Sequence, residues 1–243
     1  VALSSDGSIM AVGAYNNDGN GANSGHVRVY QWNGTAWNQL GDDINGDAAQ
    51  DTAGYTVALS SDGSIVAFGA PSSTTGHIRI YKWDGNTWNQ LGGDIIGGAE
   101  GDGTGFSLAL SSDGSIIAIG APYHNSMKGY VRIYKWNGNE WNQMGRDIDG
   151  AALFDAAGYS VALSSDGFTV AVGAHYHDSY KGHVRVYQFD GIWNQLGSDI
   201  DGQEYDVSGR KVSLSSDGSI IAISAVNHDS AKGTVRVLSL IHI

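Results

Sequence analysis

Short apolar runs separated by polar turns recur at a fixed interval along the whole chain. "VALSSDGSIMAVGA" and its close variants begin at Val1, Val57, Leu108, Val161 and Val212, which are 56, 51, 53 and 51 residues apart. A second motif recurs in step with the first and reads "HVRVYQWNGTAWNQLG" in its first copy. Self-similarity at a period near 50 residues is typical of a repeat fold.

Each repeat contains four strand-like runs, which in the second copy cover residues 55–60, 64–70, 77–83 and 87–95. Asp-Gly and Asn-Gly pairs between these runs are strong signals for tight hairpins. Four antiparallel strands repeated every ~50 residues are typical of a β-propeller blade. A parallel β-solenoid is the main competing architecture, but its coils are usually shorter and lack paired hairpins.

The pattern therefore predicts an all-β chain that folds as a β-propeller of about five four-stranded antiparallel blades, the last one incomplete. Residues 1–243 form a single propeller domain or a fragment of one, with blades at about 1–56, 57–107, 108–160, 161–211 and 212–243. The fifth copy stops at "TVRVLSLIHI", and residues 238–243 leave the repeat pattern. The missing fourth strand leaves an open edge, through which self-association is possible.

The composition narrows the classes of partner. A net charge of -12 argues against nucleic acid as a partner, which needs cationic patches. No apolar run approaches the ~18 residues of a membrane span, so we expect no membrane insertion. The chain has no cysteine, which excludes disulfides, zinc–thiolate sites and thiol catalysis.

"GFSL" at residues 105–108, followed by "GAP" at 120–122, resembles the FG-GAP repeat of integrin-α-like β-propellers. The family's phenylalanine before the glycine is replaced by Ala, Thr, Ala or Ser at positions 53, 104, 157 and 208. The resemblance implies a propeller and an adhesion or binding role. The family's calcium loop is not intact, because the first hairpin here is "LSSDGSI" with Leu110 where the first ligand would stand. We therefore expect no cofactor, with weak calcium binding left open.

One arginine recurs on the third strand of every copy, between Val or Ile neighbours. A buried guanidinium needs an anion or carbonyl partners. The repeated aspartate of the "SSDG" turn is the natural candidate, so we expect Arg–Asp or Arg–carbonyl bonds with a structural role. The two sets are Arg28, Arg79, Arg132, Arg185 and Arg236, and Asp6, Asp62, Asp113, Asp166 and Asp217.

Tryptophans flank the hairpin that joins the third and fourth strands, as Trp136 and Trp141 do in the third copy. Aromatic pairs across a tight turn stabilise a hairpin. A belt of sugar-stacking rings is the alternative interpretation.

The loop between the second and third strands varies between copies. It reads "YHNSMKG", "YHDSYKG" and "NHDSAKG" in copies three to five. Three interpretations stay open: a turn closed by Asx side chains, a recognition surface for a protein or glycan, and a metal site aided by the His175-x-His177 pair. The candidate binding residues are Tyr123, His124, Asn125, Lys128, His175, Tyr176, His177, Asp178, Lys181, His228, Asp229 and Lys232.

Acidic loops join one blade to the next. They could offer carboxylates to calcium, although no loop fits an EF-hand pattern. The weak metal candidates are Asp147, Asp149, Asp155, Asp199, Asp201 and Asp206.

No catalytic signature occurs in the chain, neither a G-x-S-x-G elbow nor HExxH nor a P-loop. The sequence therefore favours a non-catalytic binding or adhesion module that recognises a protein or glycan and is not an enzyme. From the family resemblance we expect an extracellular or cell-surface location. Two alternatives remain, a propeller hydrolase or metal-dependent enzyme with its site at the central channel, and a structural assembly protein.

Overall fold

Each repeat of the sequence folds into one antiparallel sheet, and five such sheets make up a β-propeller. The computed structural model describes residues 1–72 and 75–240. A central channel holds a cavity of about 370 Å³, which is lined by residues of the first strands of blades 2 to 5 and by Val1, next to the first strand of blade 1. The predicted fold class is confirmed.

The strands follow one another in the same order in every blade. Blade 1 has β1 (Ala2–Leu3), β2 (Ile9–Gly13), β3 (His26–Trp32), β4 (Trp37–Gln39) and β5 (Ile44–Asn45). Blade 2 has β6 (Thr56–Leu59), β7 (Ile65–Ala70), β8 (His77–Trp83), β9 (Trp88–Gln90) and β10 (Ile95–Ile96). Blade 3 has β11 (Ser107–Leu110), β12 (Ile116–Ala121), α1 (His124–Met127), β13 (Tyr130–Trp136), β14 (Trp141–Gln143) and β15 (Ile148–Asp149). Blade 4 has β16 (Ser160–Leu163), β17 (Thr169–Ala174), α2 (His177–Tyr180), β18 (His183–Phe189), β19 (Trp193–Gln195) and β20 (Ile200–Asp201). Blade 5 has β21 (Ser208–Leu214), β22 (Ile220–Ala225), α3 (His228–Ala231) and β23 (Thr234–Ser239).

The outer strand of each complete blade is broken in two. In blade 2, β9 and β10 both pair with β8, at opposite ends of that strand. Between them the Leu91 N–H donates to the Ile80 carbonyl at 2.7 Å, and Gly92 takes a φ of 78°. The continuous fourth strand predicted at 87–95 is therefore interrupted by a bulge. Counted as one broken strand, β9 and β10 leave four strands to a blade.

The repeated arginine of the third strand binds an aspartate in the gap of the broken outer strand. Arg132 Nε lies 3.1 Å and 3.0 Å from the two carboxylate oxygens of Asp147, which stands in the gap between β14 and β15. The same bond joins Arg28 to Asp43, Arg79 to Asp94 and Arg185 to Asp199. The Arg185 guanidinium lowers the pKa of Asp199 to about 2. Arg236, in the blade without an outer strand, donates to the Asp201 carbonyl at 2.9 Å.

The arginine partner expected from the sequence is thus corrected for the four complete blades. The aspartates of the "SSDG" turns, Asp6, Asp62, Asp113, Asp166 and Asp217, instead accept hydrogen bonds from the serines of their own turns. In the fifth blade these bonds lower the pKa of Asp217 to about 2. The turn satisfies its carboxylate locally, so no anion is left for the arginine on the third strand.

The hydrophobic cores lie between blades. One cluster joins Ile116 and Val131 of blade 3 to Val161 and Val170 of blade 4. Both faces of an inner blade are therefore buried, which explains why polar and apolar residues do not alternate strictly along the strands.

Glycines let neighbouring blades meet at the backbone. A Cβ on Gly120 of β12 would lie 2.0 Å from the Gly158 carbonyl oxygen of the next blade. The Ser107 hydroxyl donates to that same carbonyl at 2.7 Å. The "GA" of the repeat is therefore a point of close approach between sheets, as its small residues suggested.

The paired tryptophans also connect blades. The rings of Trp136 and Trp141 lie 5.4 Å apart across the hairpin, as the sequence predicts for a stabilised turn. The Trp141 indole N–H additionally donates to the Leu91 carbonyl of the preceding blade at 2.8 Å. The outer strand is thus tied to its neighbour as well as to its own sheet.

Blade 5 ends on an open edge within the described residues. β23 pairs with β22, and its side chains Val235 and Val237 are 63% and 66% exposed. Self-association through this edge stays a prediction. The departure expected at residues 238–243 falls in part on 241–243, which lie outside the described residues. The helices of the described chain are four-residue turns, none of them long enough to cross a bilayer.

We predict that Gly120→Ala lowers the free energy of unfolding by at least about 2 kcal/mol, because the new methyl overlaps the Gly158 carbonyl. Gly93→Ala is the matched control, since no atom of the described residues lies within 4 Å of a Cβ built there. It should change stability by less than about 0.5 kcal/mol. Urea denaturation of both variants tests this, and equal losses would contradict the close approach.

We predict that Arg79→Ala lowers the free energy of unfolding by about 3 kcal/mol, because it leaves the Asp94 and Asp47 carboxylates, which both bind this guanidinium, without their cation. The Arg79 side chain is 8% exposed, whereas the equivalent Arg28 side chain is 42% exposed. Arg28→Ala should therefore cause a clearly smaller loss. Equal midpoints for the two variants in denaturant would show that burial does not set the strength of this pair.

Candidate functional site

The three variable loops share one backbone form. In blade 4, α2 is a helical turn whose inner residues Asp178 and Ser179 lie in the left-handed region, with φ of 46° and 56°. Asn125 and Ser126 in blade 3, and Asp229 and Ser230 in blade 5, repeat these angles. Asn and Asp tolerate this conformation better than most residues, which explains their place in the motif. The first residue of each turn is a histidine, and its side chain faces the loop that comes from the preceding blade.

Each of these histidines meets a buried aspartate. His177 Nδ1 lies 2.9 Å from Asp155 Oδ1, and the two residues are 22 apart in sequence. The pairs His124–Asp102 and His228–Asp206 have the same separation and a distance of 3.0 Å. Asp102, Asp155 and Asp206 are 4%, 2% and 7% exposed. The aspartate comes from the interblade loop, so every pair joins this loop to the loop between the second and third strands. We call the face of the propeller formed by these loops the rim.

The aspartate is held firmly by its own loop. In blade 4 its second oxygen, Asp155 Oδ2, accepts the Ala152 N–H at 2.8 Å. The Asp155 carbonyl accepts the Tyr176 N–H at 3.3 Å. A carboxylate fixed in this way orients the imidazole and selects which ring nitrogen carries the proton.

Blade 4 alone among these three adds another histidine. His183, the first residue of β18, has its ring centroid 4.0 Å from that of His177. One potential ligand atom from each of Asp155, His177 and His183 lies within 4.8 Å of the other two. The equivalent positions in blades 3 and 5 are Tyr130 and Thr234. We refer to Asp155, His177 and His183 as the blade-4 cluster.

His183 is buried without a hydrogen bond at Nδ1. The residue is 1% exposed, and within the described part of the chain Nδ1 has no hydrogen-bond partner. Asp199 Oδ2 lies 3.6 Å from it, which is beyond hydrogen-bond distance. Burial lowers the pKa of His183 to about 4. The ring is therefore neutral at neutral pH and forms no ion pair with Asp199, which binds Arg185 instead.

A cavity of about 640 Å³ opens beside the cluster. Asp155 and His177 form part of its wall, together with the rings of Phe154, Tyr176 and Tyr180. This volume lies within the usual range for small-molecule sites. Polar groups beside aromatic faces are the composition expected of a site that orients a small, partly polar ligand.

The other loop residues singled out from the sequence have separate surroundings. Lys181 and Lys232 lie 2.5 Å and 2.7 Å from Asp178 and Asp229 of their own turns. Lys128 lies 3.8 Å from Asp149. Tyr123 is 40% exposed and packs against Phe106, with ring centroids 5.5 Å apart. These residues shape the rim but do not converge on one point.

His175 does not join His177, contrary to the metal interpretation of the His-x-His pair. It is 1% exposed and lies between the rings of Tyr159 and Tyr176, each 3.8 Å away by centroid. Burial lowers the pKa of His175 to about 4. The true neighbour of His177 is His183, which the sequence analysis missed. The third strand also starts with histidine in copies one and two, at His26 and His77, so only the combination with the loop histidine distinguishes copy four.

The interblade aspartates do not form one oxygen cage. Asp147 and Asp199 bind the arginines Arg132 and Arg185. Asp155 and Asp206 hold the loop histidines, as described above. Among the described residues, Asp201 enters only a group formed with His183 and Asp199. Calcium binding stays a prediction that this arrangement does not favour, because most of these carboxylates have protein partners.

The central channel offers little chemistry where the structure describes its wall. The hydroxyls of Thr56, Ser107 and Ser160 donate to glycine carbonyls of the next blade at 2.7–2.8 Å. The described residues that line the cavity there include Tyr55, Phe106 and Lys211, but no carboxylate and no histidine. The described part of the channel wall therefore lacks the convergent carboxylates or histidines that the enzyme alternative expects there.

Comparisons with known proteins bear on the fold. No family model matches the chain, and neither does any curated protein sequence. Among solved structures, the periplasmic gluconolactonase PpgL of Pseudomonas aeruginosa matches with a TM-score of 0.61 and 16% identity over 98% of this chain and 71% of that one. A Bacteroides uniformis protein titled as a candidate 6-phosphogluconolactonase matches with a TM-score of 0.62 and 14% identity over 97% of this chain and 69% of that one.

Hydrazine synthase of Kuenenia stuttgartiensis matches with a TM-score of 0.65 and 12% identity over 98% of this chain. The chain spans 63% of that protein's length. At such identities the likeness establishes the propeller fold alone. Membership of the FG-GAP group stays a prediction.

These neighbours correct the function expected from the sequence. The prediction of a non-catalytic binding or adhesion module that is not an enzyme is wrong, since the similar structures include gluconolactonases, which are propeller enzymes. They favour the enzyme alternative.

Proposed function

We propose that this propeller is a hydrolase that opens a lactone, with its reacting centre at the blade-4 cluster. The observation that carries the proposal is the buried Asp155 carboxylate holding His177 at the wall of a 640 Å³ cavity. The likeness to gluconolactonases supports the choice of substrate class.

Hydrolysis of a lactone requires an activated water molecule. The water oxygen adds to the carbonyl carbon, the bond from that carbon to the ring oxygen breaks, and a proton from the water ends on the ring oxygen. The product is one hydroxy acid. Imidazoles and carboxylates are the groups that activate water in proteins, either by accepting its proton or by holding a cation that does so.

The walls of the cavity suit a cyclic substrate. Tyr176 and Tyr180 lie 5.0 Å apart by ring centroid, with an interplanar angle of 72°. Phe154, on the interblade loop, also lines the cavity. Aromatic faces pack against the apolar faces of sugar-like rings, while hydroxyls and carboxylates bind their edges. A small polyhydroxy lactone fits this combination.

The location follows from the same likeness. We propose that the protein acts outside the cytoplasm, in a secreted or periplasmic setting, because one similar structure is a periplasmic gluconolactonase. The acidic surface, with a net charge of -12, is compatible with a small neutral substrate.

We predict that the purified chain accelerates hydrolysis of glucono-lactone above the spontaneous rate, measured by pH-stat. His177→Gln should lower kcat/KM by about 10²–10⁴, because activation of water depends on this imidazole. His124→Gln and His228→Gln are matched controls, since both residues form the same pair with an aspartate but lack the third histidine.

Both controls should keep the wild-type rate, and circular dichroism should confirm that all three variants fold. No hydrolysis of glucono-lactone or of a simple ester such as p-nitrophenyl acetate by the wild-type chain would overturn the proposed function. An equal loss of rate in His124→Gln would place the reaction elsewhere on the rim.

A further inference from the structure

The blade-4 cluster has the composition of a metal site. It brings two imidazoles and one carboxylate together, with a ligand atom from each within 4.8 Å of the others. Zinc and similar divalent transition metals take nitrogen and oxygen ligands of these kinds. Three protein ligands leave room for water at the fourth position, which is the arrangement of catalytic zinc sites.

A second observation points to a missing ligand. His183 Nδ1 is buried and has no hydrogen-bond partner among the described residues, in a residue that is 1% exposed. A buried polar atom without a partner costs free energy, so native proteins rarely leave one unless a water or an ion satisfies it. The neighbouring Asp199 does not satisfy it, because its oxygens bind Arg185 at 2.9 Å and 2.6 Å and Gln195 at 2.8 Å.

We propose that Asp155, His177 and His183 bind one divalent transition-metal ion of the zinc type, with water completing the site. The His177 Nδ1–H now donates to Asp155 Oδ1 at 2.9 Å. A cation placed at this contact replaces that proton, and His183 supplies the further nitrogen. A tetrahedral site with bonds of about 2.1 Å needs ligand atoms roughly 3.4 Å apart. Metal binding therefore widens the 2.9 Å contact between His177 and Asp155 by about 0.5 Å and shifts the His183 ring until all three ligand atoms, now within 4.8 Å of one another, reach this spacing.

Blades 3 and 5 serve as internal controls for the metal site proposed in blade 4. Blades 3 and 5 have the same histidine–aspartate pair at 3.0 Å, but Tyr130 and Thr234 stand where blade 4 has His183. Tyr130 instead contacts Thr104, with their hydroxyls 3.2 Å apart. Two protein ligands bind zinc weakly, so the metal should select blade 4.

This inference deepens the proposed function and rests on it only for the use of the metal. A bound zinc-type ion lowers the pKa of its water to about 7. The resulting hydroxide attacks the lactone carbonyl carbon, the proton lost from the water passes to solvent, and the released ring oxygen takes a proton from solvent. His177 then acts as a ligand.

The test measures metal binding directly. Tag-free protein is stripped with EDTA, titrated with ZnCl₂ by calorimetry, and assayed for bound metal after dialysis. The wild type should hold one Zn²⁺ per chain. His183→Tyr, which gives blade 4 the residue present in blade 3, should weaken binding by more than the 10–100-fold that outer-shell changes cost. CoCl₂ should give a tetrahedral visible spectrum that His183→Tyr abolishes.

His177→Gln is the second variant. The His177 side chain is 25% exposed, so this substitution does not alter a fully buried position, and the variant should fold. His124→Gln should keep full stoichiometry. No binding by the wild type, or unchanged binding by His183→Tyr and His177→Gln, would overturn the metal site. Binding without lactone hydrolysis would refute only the proposed function, while hydrolysis by metal-free protein that binds no Zn²⁺ would refute only the metal.

Discussion

The contact of one blade's glycine with the next blade's backbone is the constraint on which this structure depends. Gly120 lies against the Gly158 carbonyl, and Gly13, Gly69 and Gly173 repeat the contact around the channel. A side chain at any of these positions would hold two sheets apart. The close approach brings the apolar faces of neighbouring blades together and lets Ser107 and Ser160 bond across the junction. The conserved spacing of the repeats thus fixes where each interblade loop meets the next blade.

The candidate site is a consequence of that spacing. The buried aspartate of each interblade loop lies beside the turn after the second strand. Its Oδ1 is at nearly the same distance from Nδ1 of the first histidine of that turn in three blades. This shared pair is part of the architecture. What makes blade 4 different is a single position at the start of its third strand, where His183 converts a structural pair into a group of three. One substitution in one blade can thus change the local group of side chains without altering the other blades.

The fold could be predicted from the sequence because every repeat carries the same turns and the same small residues. The partners of the charged side chains could not be predicted in this way. The arginines bind Asp43, Asp94, Asp147 and Asp199, which stand beside a bulge that no pattern in the strand announced. The pairing of His177 with His183 was likewise hidden, because it depends on how a loop folds back over the first residue of a strand. His175, two positions from His177 in sequence, points instead into an aromatic stack. Local spacing therefore paired His177 with the wrong neighbouring histidine.

Selectivity of blade 4 over blades 3 and 5 is the central claim, because the three rims share all but one ligand. Anomalous diffraction at the cobalt or zinc edge, from crystals grown with one equivalent of metal, locates the ion without reference to activity. The account predicts one strong peak between Asp155, His177 and His183, bonded at about 2.1 Å. Peaks of equal height at the His124–Asp102 and His228–Asp206 pairs, or no peak in blade 4, would contradict it.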